Sequence, residues 1–303
     1  MNLPIWGEKK CDICSNGAYW YVPDIGLLCG VHSKKYKNRI ELKKNQKALQ
    51  ALRNNKYKLH EDECDFIAYE NIERGISGKL ILTKFLMLKD PELVHGVINV
   101  YPNFRHGGRR DGIGLPQLSP KFIGPINHGQ PGLPLALNLE NFHQGNKVFK
   151  SELDTNGHPS KIFYDTRLEM YQSDNPKRHK DVALDDKGKR TNIPVFSIWI
   201  DKQGNEHRLS YFQSRQFYCT FYERACLDES CETGKAYKML KEYIQYGYNL
   251  NIIGYDAYVI GNKTIEECYL DITRPFGHEL VLYTLLVYPQ NEWPWKKYTM
   301  FEF

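Results

Sequence analysis

The sequence predicts an α+β fold, rich in helix, with a small cysteine/histidine module in front of it. Three observations carry this. Over residues 61–303, helix-forming stretches are interleaved with a few short apolar runs, the pattern of mixed layers rather than of a sandwich. Two Cys/His knuckles fall within the first 35 residues. A Gly- and Pro-rich stretch, 103–134, interrupts the middle of the chain, and so long an irregular segment inside a domain usually marks a functional loop.

The module comes first. Cys11-x2-Cys14 and Cys29-x2-His32 are separated by fourteen residues. Two knuckles at that spacing can close around one tetrahedral ion, and thiolates with an imidazole suit Zn2+ in a closed, structural site. A unit of about 35 residues cannot fold on its apolar content alone, so the metal is expected to fold it. The other five cysteines, Cys64, Cys219, Cys226, Cys231 and Cys268, have no paired spacing. That favours a reducing compartment, cytoplasmic or nuclear, over a disulfide framework. The start lacks a long apolar segment, which predicts a chain that is not secreted, and no run approaches the ~20 apolar residues of a membrane span.

Residues 36–60 read as a basic helix or helical linker without Gly or Pro. Residues 1–60 hold 12 Lys and Arg against 4 Asp and Glu, and the remainder 29 against 32. The basic surface therefore belongs to the N-terminal end, where it could meet a polyanion such as nucleic acid or simply be a solvated face.

The domain over 61–303 opens with strand-like runs at 78–88 and 96–102. After the 103–134 loop, residues 139–152 resume helical spacing. A polar insertion is expected from about 165 to 210, exposed over 165–194 and followed by a hairpin around "DKQGN". Helices follow at 213–226 and 235–248, then the strand "NLNIIGYDAYVI", and a closing apolar helix with Pro275 near its start.

One short segment stands out. "NLENFHQGNKVF", 138–149, sets Glu140, Gln144 and Lys147 at i, i+4 and i+7. On a helix these share a face, with His143 beside them and Leu139, Phe142 and Phe149 on an apolar stripe. A surface row bathed in water is the plain alternative.

The motif Glu-x-aromatic-x-Gln-x-x-Lys, here "ENFHQGNKVF", resembles the signature helix of the NADAR (NAD and ADP-ribose associated) superfamily. "LSPKFIGP" (118–125), "NLNIIGYDAYVIG" (249–261) and "PFGHELVLYTLL" (275–286) follow the family's order of segments, with Asp256 at the acidic position and Tyr258-Val259 where the family has Tyr-Trp. The resemblance covers roughly 115–290 and excludes the metal module.

It implies an N-glycosidase acting on an ADP-ribosyl or phosphoribosyl group joined to a base, with an ADP-ribose-like or phosphorylated nucleoside ligand. In that chemistry a carboxylate stabilises an oxocarbenium-like state, and Glu140 is the first candidate, Asp256 the second. Lys147 could bind phosphate, donate a proton or attack C1. Gln144 and His143 would orient the ribose or base. Arg105, Arg109 and Arg110 in "RHGGRRDGIG" could meet a pyrophosphate, or sit on a flexible basic loop. Arg215 and Tyr258 could line the site. Arg215, Tyr218, Tyr222 and Glu223 share one helix and could line the site, but a structural tyrosine network is the favoured reading for them. His278 and Glu279 could be a catalytic pair or a capping feature. Together with the basic N-terminus, this makes an ADP-ribosylated base in DNA an attractive substrate. The competing expectation is a non-catalytic zinc-finger nucleic-acid- or ADP-ribose-binding protein, or a structural component of a large assembly.

Overall fold

The computed structural model describes residues 3–4, 7–14, 16–42, 46–85, 91–179, 194–255, 262–299 and 303. The chain is mixed α+β and divides into two compact units, Met1–Glu63 and Cys64–Phe303.

In the first unit, β1 (Trp20–Val22) pairs antiparallel with β2 (Gly26–Leu28) and β3 (Ile40–Glu41). Gly26 makes the reversal possible: at φ 115° an L side chain is strained, and a Cβ there would strike the Asp12 carboxylate that holds the Leu27 N–H. A 3-10 turn, His32–Lys35, follows the second knuckle. The module thus reaches β3 instead of ending near residue 35. The helix expected over 36–60 begins only at α1 (Gln46–Glu73) and runs on past residue 60. The expected stretch is split because Ile40 and Glu41 pair with Tyr21 and Trp20, a tertiary pairing that overrides local helix propensity.

The second unit is built on an all-parallel sheet. β4 (Leu80–Phe85) and β5 (Val97–Tyr101) flank β10 (Asn249–Tyr255), and β6 (Ile113–Gly114) pairs with the end of β5. A second, antiparallel sheet joins β7 (Lys147–Val148), β8 (Phe196–Ile200) and β9 (Glu206–Leu209); β8 and β9 are the expected hairpin. Helices α2 (Leu139–Gly145), α3 (Lys161–Tyr171), α4 (Tyr211–Leu227), α5 (Glu232–Gln245), α6 (Ile265–Leu270), α7 (His278–Val287) and α8 (Pro294–Lys297) complete the unit. α4 packs against α2, α5 and α7, while α7 covers β4 and β10. Phe142, Phe217, Phe221, Leu250, Ile252 and Leu282 are buried together at the centre, and Cys219 is a fully buried small core residue.

Two expectations need correction. Helical geometry over 139–152 stops at Gly145. The Asn146 amide donates to the Phe142 carbonyl at 2.6 Å, competing for the acceptor a continuing helix would use, and Lys147 enters β7. Residues 165–171, expected in an exposed insertion, belong to α3 and bury Arg167, Met170 and Tyr171. Residues 180–193 of that segment lie outside the described residues.

Candidate functional site

α2 is started by Asn138, whose side chain accepts the Asn141 N–H at 2.8 Å. Its apolar side, Leu139 and Phe142, enters the core. Gly145 packs closely, since a Cβ would lie 3.0 Å from the Tyr171 ring and push it aside. The other side opens into a cleft of about 180 Å3 lined by Glu140, His143, Gln144, Lys147, Arg215, Tyr218 and the Pro275–Gly277 turn. Although Lys147 has left the helix, the row survives. The Gln144 amide donates to Glu140 Oε1 at 3.1 Å and accepts from Lys147 Nζ at 3.2 Å.

The cleft is electrostatically tense. Burial lowers the Lys147 ammonium to about 8, with the Glu140 charge pulling the other way. His143 is held well below its ordinary value, first by burial and then by the Lys147 and Arg215 charges. Its imidazole is therefore neutral, and among the described residues its buried Nδ1 has no hydrogen-bond partner. Tyr218, its ring 4.8 Å from His143, is pushed well up by burial and then by Glu140 and Glu279. It stays a phenol, able to donate.

Arg215 lines the cleft, but its guanidinium serves another purpose as well. It donates to the carbonyls of Cys268, Tyr269, Asp271 and Arg274, stitching the loop that delivers Pro275–Gly277. Glu279 is buried, and its carboxylate folds back over Gly277, where a Cβ would stand 2.6 Å from it. His278 Nε2 lies 2.7 Å from the Pro102 carbonyl and must donate to it, leaving Nδ1 3.1 Å from Glu279. This pair sits at the start of α7, directly after the cleft-lining turn.

The 105–114 loop is placed differently. Arg109 donates to both oxygens of Asp111 and lies over the Tyr101 ring at 4.4 Å. Burial opposes the Asp111 charge, but Arg109 and Tyr101 together hold that carboxyl low. The arginine locks the loop. Arg105 and Arg110 are exposed on it, and none of the three is among the described residues lining the cleft. Tyr222 donates to the Leu118 carbonyl at 2.7 Å, and Glu223 accepts from Trp295 at 2.8 Å. Both are core contacts. Asp256 and Tyr258 lie outside the described residues.

Sequence reading missed Tyr211 and Ser214 in the lining, and the support behind α2. Beneath Gln144, His179 Nδ1 donates to its carbonyl at 3.0 Å, while Nε2 meets Glu152. Glu152 also accepts the Phe149 N–H at 2.9 Å. Both side chains are fully buried. The nearby strap over 173–177 returns three backbone groups to Asn141.

In the first unit, Cys11, Cys14, Cys29 and His32 present ligand atoms all within 4.8 Å of one another. Cys11 Sγ and Cys29 Sγ are each 3.4 Å from His32 Nδ1, and Cys14 Sγ is 3.9 Å from Cys29 Sγ. A tetrahedral ion with bonds of about 2.3 Å to sulfur and about 2.0 Å to nitrogen requires edges of roughly 3.8 and 3.5 Å, so the donor set fits a metal ion. Burial would raise the Cys11 thiol, but the Cys29 and Ile13 backbone donors and His32 outweigh it and bring it to about 6, favouring the thiolate a metal needs.

Among the described residues no helix is long and apolar enough to cross a membrane. In comparisons with known proteins, no family model, curated protein or solved structure matches the chain.

Proposed function

We propose that residues 64–303 are a NADAR-like N-glycosidase that hydrolyses the bond between a ribosyl carbon and a base nitrogen in an ADP-ribosyl or phosphoribosyl adduct. The observation that carries this reading is the continuous row Glu140–Gln144–Lys147 in one cleft. It sets an acceptor of positive charge and a donor of protons on either side of a bridging amide. As the C1–N bond breaks, Glu140 faces the developing positive charge and takes a proton from the attacking water. The water oxygen bonds to C1. Lys147, lowered to about 8 yet still mostly protonated at pH 7, gives its proton to the leaving nitrogen. Solvent then removes the proton from Glu140 and restores that of Lys147. Tyr218 and His143, which line the cleft, supply orienting hydrogen bonds.

Release of ADP-ribose from ADP-ribosylated nucleosides and single-stranded DNA, followed by mass spectrometry, tests the reading. Glu140→Gln should lower kcat by roughly 100-fold or more with the fold intact. Activity should fall as pH rises through about 8, where Lys147 loses its proton. Activity that instead rises through that pH, with borohydride trapping at Lys147, makes the lysine a nucleophile. If wild type is inert on all these substrates but binds ADP-ribose, the domain is a binding module.

For the first unit we propose a structural Zn2+ held by Cys11, Cys14, Cys29 and His32. We also propose contact of the basic residues 1–60 with a nucleic-acid substrate. Deleting 1–60 should weaken binding to DNA and flatten its salt dependence; unchanged affinity and slope remove that part.

A further inference from the structure

Tyr211 is a second aromatic wall of the cleft, and the proposed reaction gives it no part. It opens α4 in a fixed position. The Ser210 side chain accepts the Gln213 N–H at 3.2 Å, and the Gln213 side chain accepts the Ser210 N–H at 2.8 Å. Ser214 Oγ donates to the Tyr211 carbonyl at 2.9 Å. The Arg215 guanidinium lies over the Tyr211 ring, 5.3 Å from its centroid, and is itself tied to the loop carbonyls before Pro275. Tyr218 is buried, but Tyr211 is only half-buried. A half-buried ring, braced by an arginine and lining a polar cleft, offers a flat apolar surface to a ligand.

The charges around this ring select what lies on it. Among the described residues of the lining, one carboxylate, Glu140, stands against two cations, Lys147 and Arg215. His143 is neutral and Tyr218 is a phenol. The lining is therefore net positive, and a ring that already carries Arg215 attracts a second cation less. A planar ligand without charge meets neither penalty. We infer that Tyr211 is the platform on which the base of the substrate stacks, and that this base is uncharged, a purine or pyrimidine and not a pyridinium such as that of nicotinamide riboside. The inference deepens the glycosidase reading and rests on it. The leaving group gives a second reason. When the C1–N bond breaks, its electron pair passes to the base nitrogen. An uncharged base would leave as an anion, so it takes the Lys147 proton. A pyridinium leaves neutral and takes none. A proton donor in the row serves only the uncharged base.

Equilibrium dialysis of the full chain with two carbocyclic nucleosides tests it. In both, CH2 replaces the ring oxygen, so no oxocarbenium-like state forms and neither is cleaved. One carries adenine and the other a nicotinamide pyridinium. The adenine analogue should bind about tenfold tighter or more. Tyr211→Leu, which keeps bulk at a half-buried position, should weaken the adenine analogue roughly tenfold. Tyr211→Phe, which keeps the ring, should bind it as wild type does. A wild type that binds neither analogue, a pyridinium bound as tightly as adenine, a Tyr211→Leu protein of unchanged affinity, or a Tyr211→Phe protein as weak as Tyr211→Leu overturns the proposal. Release of base from the matching ribosides, measured alongside, reports on the glycosidase reading by itself: Tyr211-dependent binding without turnover removes the enzyme and keeps the platform.

Discussion

Lys147 is held where its charge is costly. Its folded value, about 8, lies below the ordinary 10.5, so between those values the unfolded chain binds more protons than the folded one. Stability from this group therefore rises as pH climbs through that window, and is at its lowest below about 8. The ammonium costs roughly 3 kcal/mol at neutral pH. Lys147→Met should raise the urea midpoint at pH 7, lose most of that gain near pH 10, and abolish the proposed glycosidase turnover. Stability bought with function in this way is the mark of a site residue and not of a core residue. Helical spacing placed Glu140 and Gln144 on one face, but Lys147 reaches the same cleft from β7 and not from the helix that the spacing assumed. Spacing could not reveal that Arg109 is spent on Asp111, or that Arg215 is tied to four carbonyls. An arginine's letter does not say whether its donors face a ligand or the chain itself.

At the level of elements, the pocket helix is short, and its precision comes from what lies behind it. The His179–Glu152 pair satisfies the Gln144 carbonyl and the Phe149 N–H at once. With Nδ1 committed to donating, a proton must lie between Nε2 and the carboxylate. Glu152→Ala would leave buried groups unpaired and should cost roughly 3–5 kcal/mol. Glu152→Gln can accept from Phe149 and donate to a neutral His179, and should recover most of the loss; chemical denaturation of the two variants checks this. α4 and α5 were legible in outline because no Pro interrupts 211–245 and apolar and aromatic residues recur there at helical spacing. The end of α2 was not, because Asn146 stops it with a side-chain bond that helical periodicity cannot register. Arg167 misled in the other direction. A charged residue in a polar stretch reads as surface, yet here it is buried against Tyr171 and held by Gln130 and Asn146. β3 was missed for a related reason, since its two residues owe their shape to the strand beside them.

At the scale of the whole molecule, the two units differ in what folds them. The larger has an aromatic and aliphatic core of its own. Among the described residues the smaller buries Ala18, Val22, Leu28 and Leu42 with Cys11 and Cys29, a core small enough that the proposed metal should be needed to hold it. A chelator should therefore collapse the amide resonances of residues 7–42 while those of β10 persist. Two-dimensional NMR distinguishes this from global unfolding, in which both sets are lost together.

The parallel sheet has one more consequence. Its middle strand, β10, is encoded some 150 residues after the neighbours it separates. During synthesis β4 and β5 emerge with no strand between them, and the row from Glu140 to Lys147 follows without α4 or α7 to wall it in. Loop closure over so long a stretch is slow, and until residues 249–255 arrive the early strands present unpaired edges. A chain released early would thus carry the signature segment but no cleft. Nascent chains arrested before residue 249 should be digested readily by protease, and acquire resistance only once β10 has been made.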